Sequence, residues 1–285
     1  MTGSKADMQS HDLLPVGTVW VGPELNWIAR MSLQSLLHAG HPVTLFHTDT
    51  IQDPKLPGLS LVPARELWDY PETLLTHVSP AVFSDFFRLH MIRKARMIWA
   101  DTDVLCVRPF VPRDGYLVGY EHGGWINGAV LMLPDSSPTL NELITRFDDP
   151  SFVPDWLFHR FKGKARKAGP ERALYEACRL APNVVGPKAL THMLPKHGED
   201  GHVLPYQILN PLPWSLADVY FNPHGGVEPW LNDQTMAVHI YTSRIRRHHK
   251  QVRPMAGSFM ARFAETIGFD MDAHGPTAEH SADTA

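Results

Sequence analysis

With 285 residues and 44% hydrophobic side chains, the chain can fill the core of one large α/β domain. Its formal net charge of −4 excludes the broad basic excess of nucleic-acid binders, and two cysteines, Cys106 and Cys178, exclude a disulfide framework or a structural zinc site of their own. No run reaches the ~20 apolar residues of a membrane span, and residues 1–11 lack the apolar stretch of a secretory signal, so the chain reads as a soluble, cytoplasmic protein in a reducing compartment.

Residues 1–14 and 270–285 are rich in Ser, Asp, His, Ala and Thr without periodicity and read as disordered tails around a domain at 15–269. The run 17–22, closed by Gly22-Pro23, predicts a buried strand ending in a turn. Apolar residues recur near helical spacing over 24–39 with Gly40 as the stop, and 42–46 predicts a second strand, giving the strand, helix, strand order of a parallel crossover unit. Pro80 opens a helix to 94 whose apolar face carries Val82, Phe83, Phe86, Leu89 and Ile92. The run 97–100 predicts a central strand, and its carboxyl end, where ligands gather in open α/β sheets, delivers Asp101 and Asp103.

Further strands are predicted at 116–120 and 129–133, and helices at 137–147, 170–180 and 255–267. Two segments are strongly basic, 160–172 and 244–253. The Pro, Gly and Lys content of the first predicts a mobile loop that orders on ligand binding. Each segment reads first as a solvated face, and either could instead meet phosphate, an anionic acceptor or, as a peripheral contact, a membrane surface.

Asp101 and Asp103, separated by one residue after a strand, can both approach one divalent ion if the chain turns at once, and hard cations such as Mg²⁺ or Mn²⁺ prefer these oxygen ligands. Two solvated turn residues are the plainer reading of an Asp-x-Asp alone. On the preceding helix Ser84 stands beside Asp85, and Asp85 and Arg88 lie at i and i+3 on one face. They read either as a surface ion pair, worth under about 1 kcal/mol, or as a carboxylate and guanidinium that grip hydroxyls and phosphate oxygens.

The array VWVGP at 19–23, SDFFR at 84–88, IWADTDVLCVRPF at 98–110, NGAVLMLP at 127–134, GPKALT at 186–191 and AVHIYTSR at 237–244 resembles, in this order, the glycosyltransferases with a DXD sugar-binding region. That group includes the α1,4-galactosyltransferases, initiating α1,6-mannosyltransferases and glucosylating-toxin catalytic domains. The resemblance implies a GT-A fold: a Rossmann-like, single α/β domain with a mixed central sheet. It also implies a retaining hexosyltransferase, of the kind used in polysaccharide biosynthesis, that takes a nucleotide sugar such as a UDP-hexose. A hydroxyl of a glycan, glycolipid or other glycoconjugate would be the acceptor, with Mn²⁺ or Mg²⁺ as cofactor.

By the same resemblance, Trp20 stacks on the donor base, Ser84, Asp85 and Arg88 contact ribose, hexose or phosphate, and Asn127 faces the donor sugar. Asp101 contacts sugar and ribose, Asp103 holds the metal, and His239 stands where a third metal ligand is found, with Tyr241 and Ser243 in reach of phosphate. Other readings of these residues are a core aromatic for Trp20, a hairpin turn for Asn127-Gly128, and a satisfied core histidine for His239. The chain departs from the family in lacking a Gly-Gly-x-Tyr approach to the DXD, where it has 95–100 (ARMIWA), and in following His239 with basic residues rather than a tryptophan segment. Two other functions fit some of these residues: a non-catalytic nucleotide-sugar binding module, and a phosphohydrolase whose first aspartate, Asp101, is a nucleophile.

Overall fold

The computed structural model describes residues 13–51 and 54–276, so the amino-terminal segment read as a tail lies outside the described residues up to 12. The first half of the chain forms β1 (Val16–Trp20), α1 (Trp27–His38), β2 (Val43–His47), β3 (Leu59–Pro63), α2 (Ala64–Leu67), α3 (Glu72–His77), α4 (Pro80–Ala95), β4 (Ile98–Ala100), β5 (Val104–Cys106), β6 (Leu117–Tyr120), β7 (Ile126–Met132) and α5 (Pro138–Phe147). The second half forms α6 (His159–Lys167), α7 (Ala173–Leu180), α8 (Pro187–Lys196), α9 (Tyr206–Leu209), β8 (Ala237–His239), α10 (Phe259–Thr266) and α11 (Met271–His274).

Six strands make one sheet in the order β3-β2-β1-β4-β7-β6. β3, β2, β1 and β4 run parallel, and β7 and β6 close the sheet with antiparallel pairs. A separate antiparallel pair joins β5 to β8, with Val104 opposite His239. This mixed α/β sheet, parallel and crossover-linked in its amino-terminal half, agrees with the single α/β domain with a mixed central sheet expected from the sequence.

Both faces of the sheet are covered at its inner strands, which is why these read as near-continuous apolar runs. Side chains alternate across a strand: Trp99 enters the core shared with α4, α5, α7 and α8, whereas Ile98 and Ala100 enter the core under α1. α4 starts at Pro80 as the sequence foretold, with Ser79 found to cap it by accepting from the Val82 amide, and it ends where Arg96 turns left-handed at φ 54°.

The basic segment at 160–172 is not the predicted loop. Its first half is α6, which packs on α7 through the fully buried Ala165 while its lysines and arginines face outward. Helix formers outweighed Gly163, and the charge that signalled a loop is the solvated side of an amphipathic helix. Of the carboxyl-terminal stretch read as a tail, 270–276 are described and hold one helical turn, capped by Asp270, while 277–285 lie outside the described residues.

Two buried serines on α1 fix the strand that follows the Asp-x-Asp. Ser32 Oγ donates to Val104 O at 2.6 Å. Ser35 Oγ donates to Ser32 O at 2.6 Å and accepts from the Cys106 amide at 2.9 Å. Ser35→Ala strands that amide in the core, so we expect a loss of about 1–3 kcal/mol, read in a thermal melt as about 2–4 °C per kcal/mol. An unchanged Tm would mean that α1 does not anchor β5.

Candidate active site

The chain turns sharply after β4. The Asp101 amide donates to Ala129 O at 2.7 Å, which holds the residue to β7, and the Val104 amide returns to Asp101 O at 3.1 Å. Both aspartates therefore leave the sheet from one tight turn. The pairing of β5 with β8 then brings in the far end of the chain, as the Ile240 amide donates to Asp103 O at 2.9 Å. Asp101, Asp103 and His239 consequently offer ligand atoms that all lie within 4.8 Å of one another.

Asp103 is the most heavily committed of the three. Its Oδ2 accepts from the Thr242 amide at 2.8 Å and the Thr242 hydroxyl at 2.9 Å, and its Oδ1 stands 3.3 Å from His239 Nε2. Burial alone would raise its pKa, but the His239 charge and these hydrogen bonds outweigh burial and hold it at about 2. The same contact acts in reverse on the imidazole. Burial pulls the His239 pKa down, yet the charges of Asp103, Asp101 and Glu121 leave it raised. The His239 ring stacks on Tyr241 at 3.8 Å between centroids, and its Nδ1 is buried without a hydrogen-bond partner.

Asp101 and Asp85 are joined by Arg88. The guanidinium Nη2 lies 3.1 Å from Asp101 Oδ1 and 2.9 Å from Asp85 Oδ1, and Nη1 donates to Gly128 O at 2.6 Å. The group lies over the Trp99 ring at 5.0 Å, and the Trp99 indole N–H donates to Asp101 Oδ1 at 2.7 Å. Burial pushes the Asp85 pKa up to about 7 against the pull of Arg88, and burial likewise raises that of Asp101. Two glycines make room: a Cβ on Gly128 would fall 2.5 Å from Arg88 Nη1, and one on Gly186 would fall 2.6 Å from both Asp85 carboxylate oxygens.

The residues singled out in the sequence thus fall into two connected groups. Asp101, Asp103 and His239 form the cluster, and Asp85 and Arg88 lie directly behind it with side chains only 10% and 6% exposed, so they are not the surface ion pair of the plainer reading. Ser84 lies beside them, its hydroxyl 3.4 Å from Arg88 Nη2. Asn127 is not in a turn. It is the second residue of β7, with Oδ1 accepting from the Ala129 amide at 2.7 Å and Nδ2 donating to Glu121 Oε2 at 2.8 Å. Trp20 ends β1, packs against the core under α1, and keeps a buried indole N–H without a partner.

Three residues of the site escaped sequence reasoning. Thr242 is visible only once β8 is paired, Glu121 only once the β6–β7 hairpin is closed, and Gly186 only as the first residue of the GPKALT run. A cavity of about 400 Å³ lies elsewhere, between Trp68, Phe86, Phe147 and Tyr175, and a second of about 340 Å³ lies beside Trp27 and Arg30. Neither is lined by the charged cluster, whose aspartates are partly open, with 25% of the Asp101 and 16% of the Asp103 side chain exposed.

The pair of Asp103 and His239 gives a pH signature. The depressed carboxyl contributes stability that is present above its unfolded pKa of 3.8 and lost as pH falls towards about 2. The raised imidazole contributes stability that is complete below 6.5 and lost as pH rises through its folded pKa. In metal-free buffer with chelator, the Tm difference between the wild type and His239→Gln should therefore be widest between about pH 4 and pH 6.5 and shrink on either side. A difference that is flat with pH would show that the two groups do not interact.

No family model matches the chain, and no curated protein matches it. Among solved structures it is similar to the PaToxG glycosyltransferase, with 14% identity and a TM-score of 0.43, over 65% of this chain and 69% of that one. It is also similar to mouse xyloside xylosyltransferase 1, with 14% identity and a TM-score of 0.45, over 82% of this chain and 99% of that one. A third likeness is to the WbbM bifunctional glycosyltransferase, with 10% identity and a TM-score of 0.39, over 93% of this chain and 52% of that one. At these scores no residue's role transfers from the neighbours, and the functional reading stands on the geometry of the site.

Proposed function

We propose that the chain is a glycosyltransferase that moves a hexose from a nucleotide-sugar donor, such as a UDP-hexose, to a hydroxyl of a glycan or glycoconjugate with retention of configuration. The observation that carries the reading is the convergence of Asp101, Asp103 and His239 beyond the carboxyl end of β4, with Arg88 bonded behind them. A ligand at this edge of an α/β sheet meets the ends of β1 and β4 together, and so meets Trp20 as well as the aspartates.

The donor set fits a divalent ion. Two carboxylates and an imidazole whose Nε2 faces Asp103 Oδ1 at 3.3 Å are a set that Mn²⁺ or Mg²⁺ accepts, and Asp103, Asp101 and His239 would hold it. When bound, such an ion neutralises diphosphate charge and so eases departure of the nucleotide. The chain's own part is orientation. Thr242 aims the Asp103 carboxylate, and Arg88, bonded to Asp85, Asp101 and Gly128 O, keeps the Asp101 carboxylate from swinging away. In this reading the Trp20 ring stacks on the donor base, Ser84 and Arg88 border the sugar and phosphate, and Asp85 acts chiefly through Arg88.

The phosphohydrolase reading needs Asp101 as a free nucleophile. Its Oδ1 instead accepts from Trp99 and Arg88, which draw charge from the carboxylate and hold it in place. No helix among the described residues is long and apolar enough to cross a membrane. Contact with a glycolipid acceptor would therefore fall to exposed surfaces, of which the segment after β8, with Arg244 over the Trp214 ring at 4.5 Å, is one.

Asp103→Asn keeps an oxygen for the Thr242 amide and so preserves the fold. It should nevertheless abolish Mn²⁺-stimulated hydrolysis or transfer across a panel of nucleotide sugars, and full activity in that variant removes the metal role. Trp20→Ala should weaken nucleotide binding by about 1–3 kcal/mol, measured calorimetrically, if the ring stacks on a base. An unchanged Kd returns Trp20 to the core.

A further inference from the structure

The turn that joins β6 to β7 stands beside the cluster and presents a second kind of chemistry. In this hairpin Gly119 is opposite Asn127 and Tyr120 is opposite Ile126, and the register continues outward as the Glu121 amide donates to Trp125 O at 2.8 Å. Gly123 and Gly124, at φ 95° and 81°, supply the left-handed backbone that so short a connection requires. Directly opposed residues in an antiparallel pair project to one face, and every second residue along a strand shares it. Glu121, Trp125 and Asn127 therefore belong to the same face.

That face is turned to the cluster. Glu121 Oε2 accepts from Asn127 Nδ2 at 2.8 Å and from the Tyr241 hydroxyl at 3.5 Å, and Tyr241 is the residue whose ring stacks on His239. Tyr241 is held at φ 53°, a left-handed conformation that is unfavourable for an aromatic residue, so the contact is imposed by the surrounding fold. With Oε2 held in this way, Oε1 is left for an incoming donor. Trp125 is 41% exposed, an indole standing in solvent on the face of a site rather than in the core. A carboxylate that accepts hydroxyl hydrogens beside a flat apolar ring is the pair of features that a pyranose needs, since its rim is polar and its axial C–H face is not.

We propose that Glu121 and Trp125 form a sugar subsite next to the Asp101, Asp103 and His239 cluster. Glu121 Oε1 accepts a pyranose hydroxyl, the Trp125 ring lies against the apolar face of the same sugar, and Asn127 is a positioning residue that fixes the Glu121 carboxylate. The subsite rests on the glycosyltransferase reading. The bound ring belongs either to the donor hexose or to the acceptor, and the two share one chemistry.

Glu121→Gln retains the side-chain shape and an oxygen for Asn127, and Trp125→Ala removes a ring that is largely outside the core, so both variants should keep the wild-type Tm. The probes are UDP-glucose, UDP-galactose, UDP-N-acetylglucosamine and GDP-mannose with Mn²⁺, hydrolysed in water or transferred to methyl glycosides of glucose, galactose and mannose. Loss of a hydrogen bond to a charged group should raise a KM by about 10- to 100-fold in Glu121→Gln, with the thermal shift induced by UDP or GDP alone unchanged. A raised donor KM in hydrolysis assigns the ring to the donor. An unchanged hydrolysis KM with a raised KM for the methyl glycoside assigns it to the acceptor. If both KM values stay within about twofold of wild type in both variants, the subsite is overturned while the transferase reading stands. A wild-type chain that neither binds nor turns over any of the donors overturns the transferase reading and the subsite together.

Discussion

A buried guanidinium organises this site. Arg88 leaves the middle of α4 and reaches Asp85 on its own helix, Asp101 beyond β4, and the carbonyl of Gly128 within β7, so that one planar group ties three elements together. Its fork of N–H donors suits such a junction, where an ammonium would serve as a point charge only. The contacts are interdependent, because a charge out of water needs its partners, and loss of one member of a buried pair typically costs about 3–5 kcal/mol. Gly128 and Gly186 are part of the same arrangement, as a methyl at either position would fall inside contact distance of the charged groups.

This junction also separates two similar carboxylates. Asp101 and Asp103 are two residues apart in one turn, yet burial raises the pKa of the first and the imidazole and Thr242 depress that of the second to about 2. Environment rather than residue type divides their work. In the proposed reading Asp103 would be the stronger anchor for a cation, and Asp101, drawn back by Trp99 and Arg88, would face a ligand with the oxygen it has left.

Much of this was legible in the sequence where physics is local. Pro80 announced a helix start, the apolar run before Asp101 announced a strand, and the i, i+3 spacing of Asp85 and Arg88 put them on one face. Illegible were features that depend on partners distant along the chain. β3 is a five-residue edge strand whose side chains are exposed or half-buried, so no buried face marks it, and β5 is three residues long and becomes a strand only by pairing with β8. Asn127-Gly128 carries a strong turn signal that lost to tertiary context, since Gly128 is needed for the close approach of Arg88 and the turn itself falls at Gly123-Gly124. The basic run at 160–172 misled for the opposite reason, as its charges announced solvent and not irregularity.

The pairing of β5 with β8 sets the order of events in folding. Asp103 and Thr242 are 139 positions apart, so the loop they close is among the longest in the molecule and its entropy must be met by packing formed earlier. The parallel sheet and its helices can assemble from residues synthesised first, whereas the imidazole and threonine that complete the cluster follow the aspartates by well over a hundred residues. If the proposed function holds, a growing chain would carry its aspartates in the sheet before their partners exist, and competence would wait on the docking of β8 against β5.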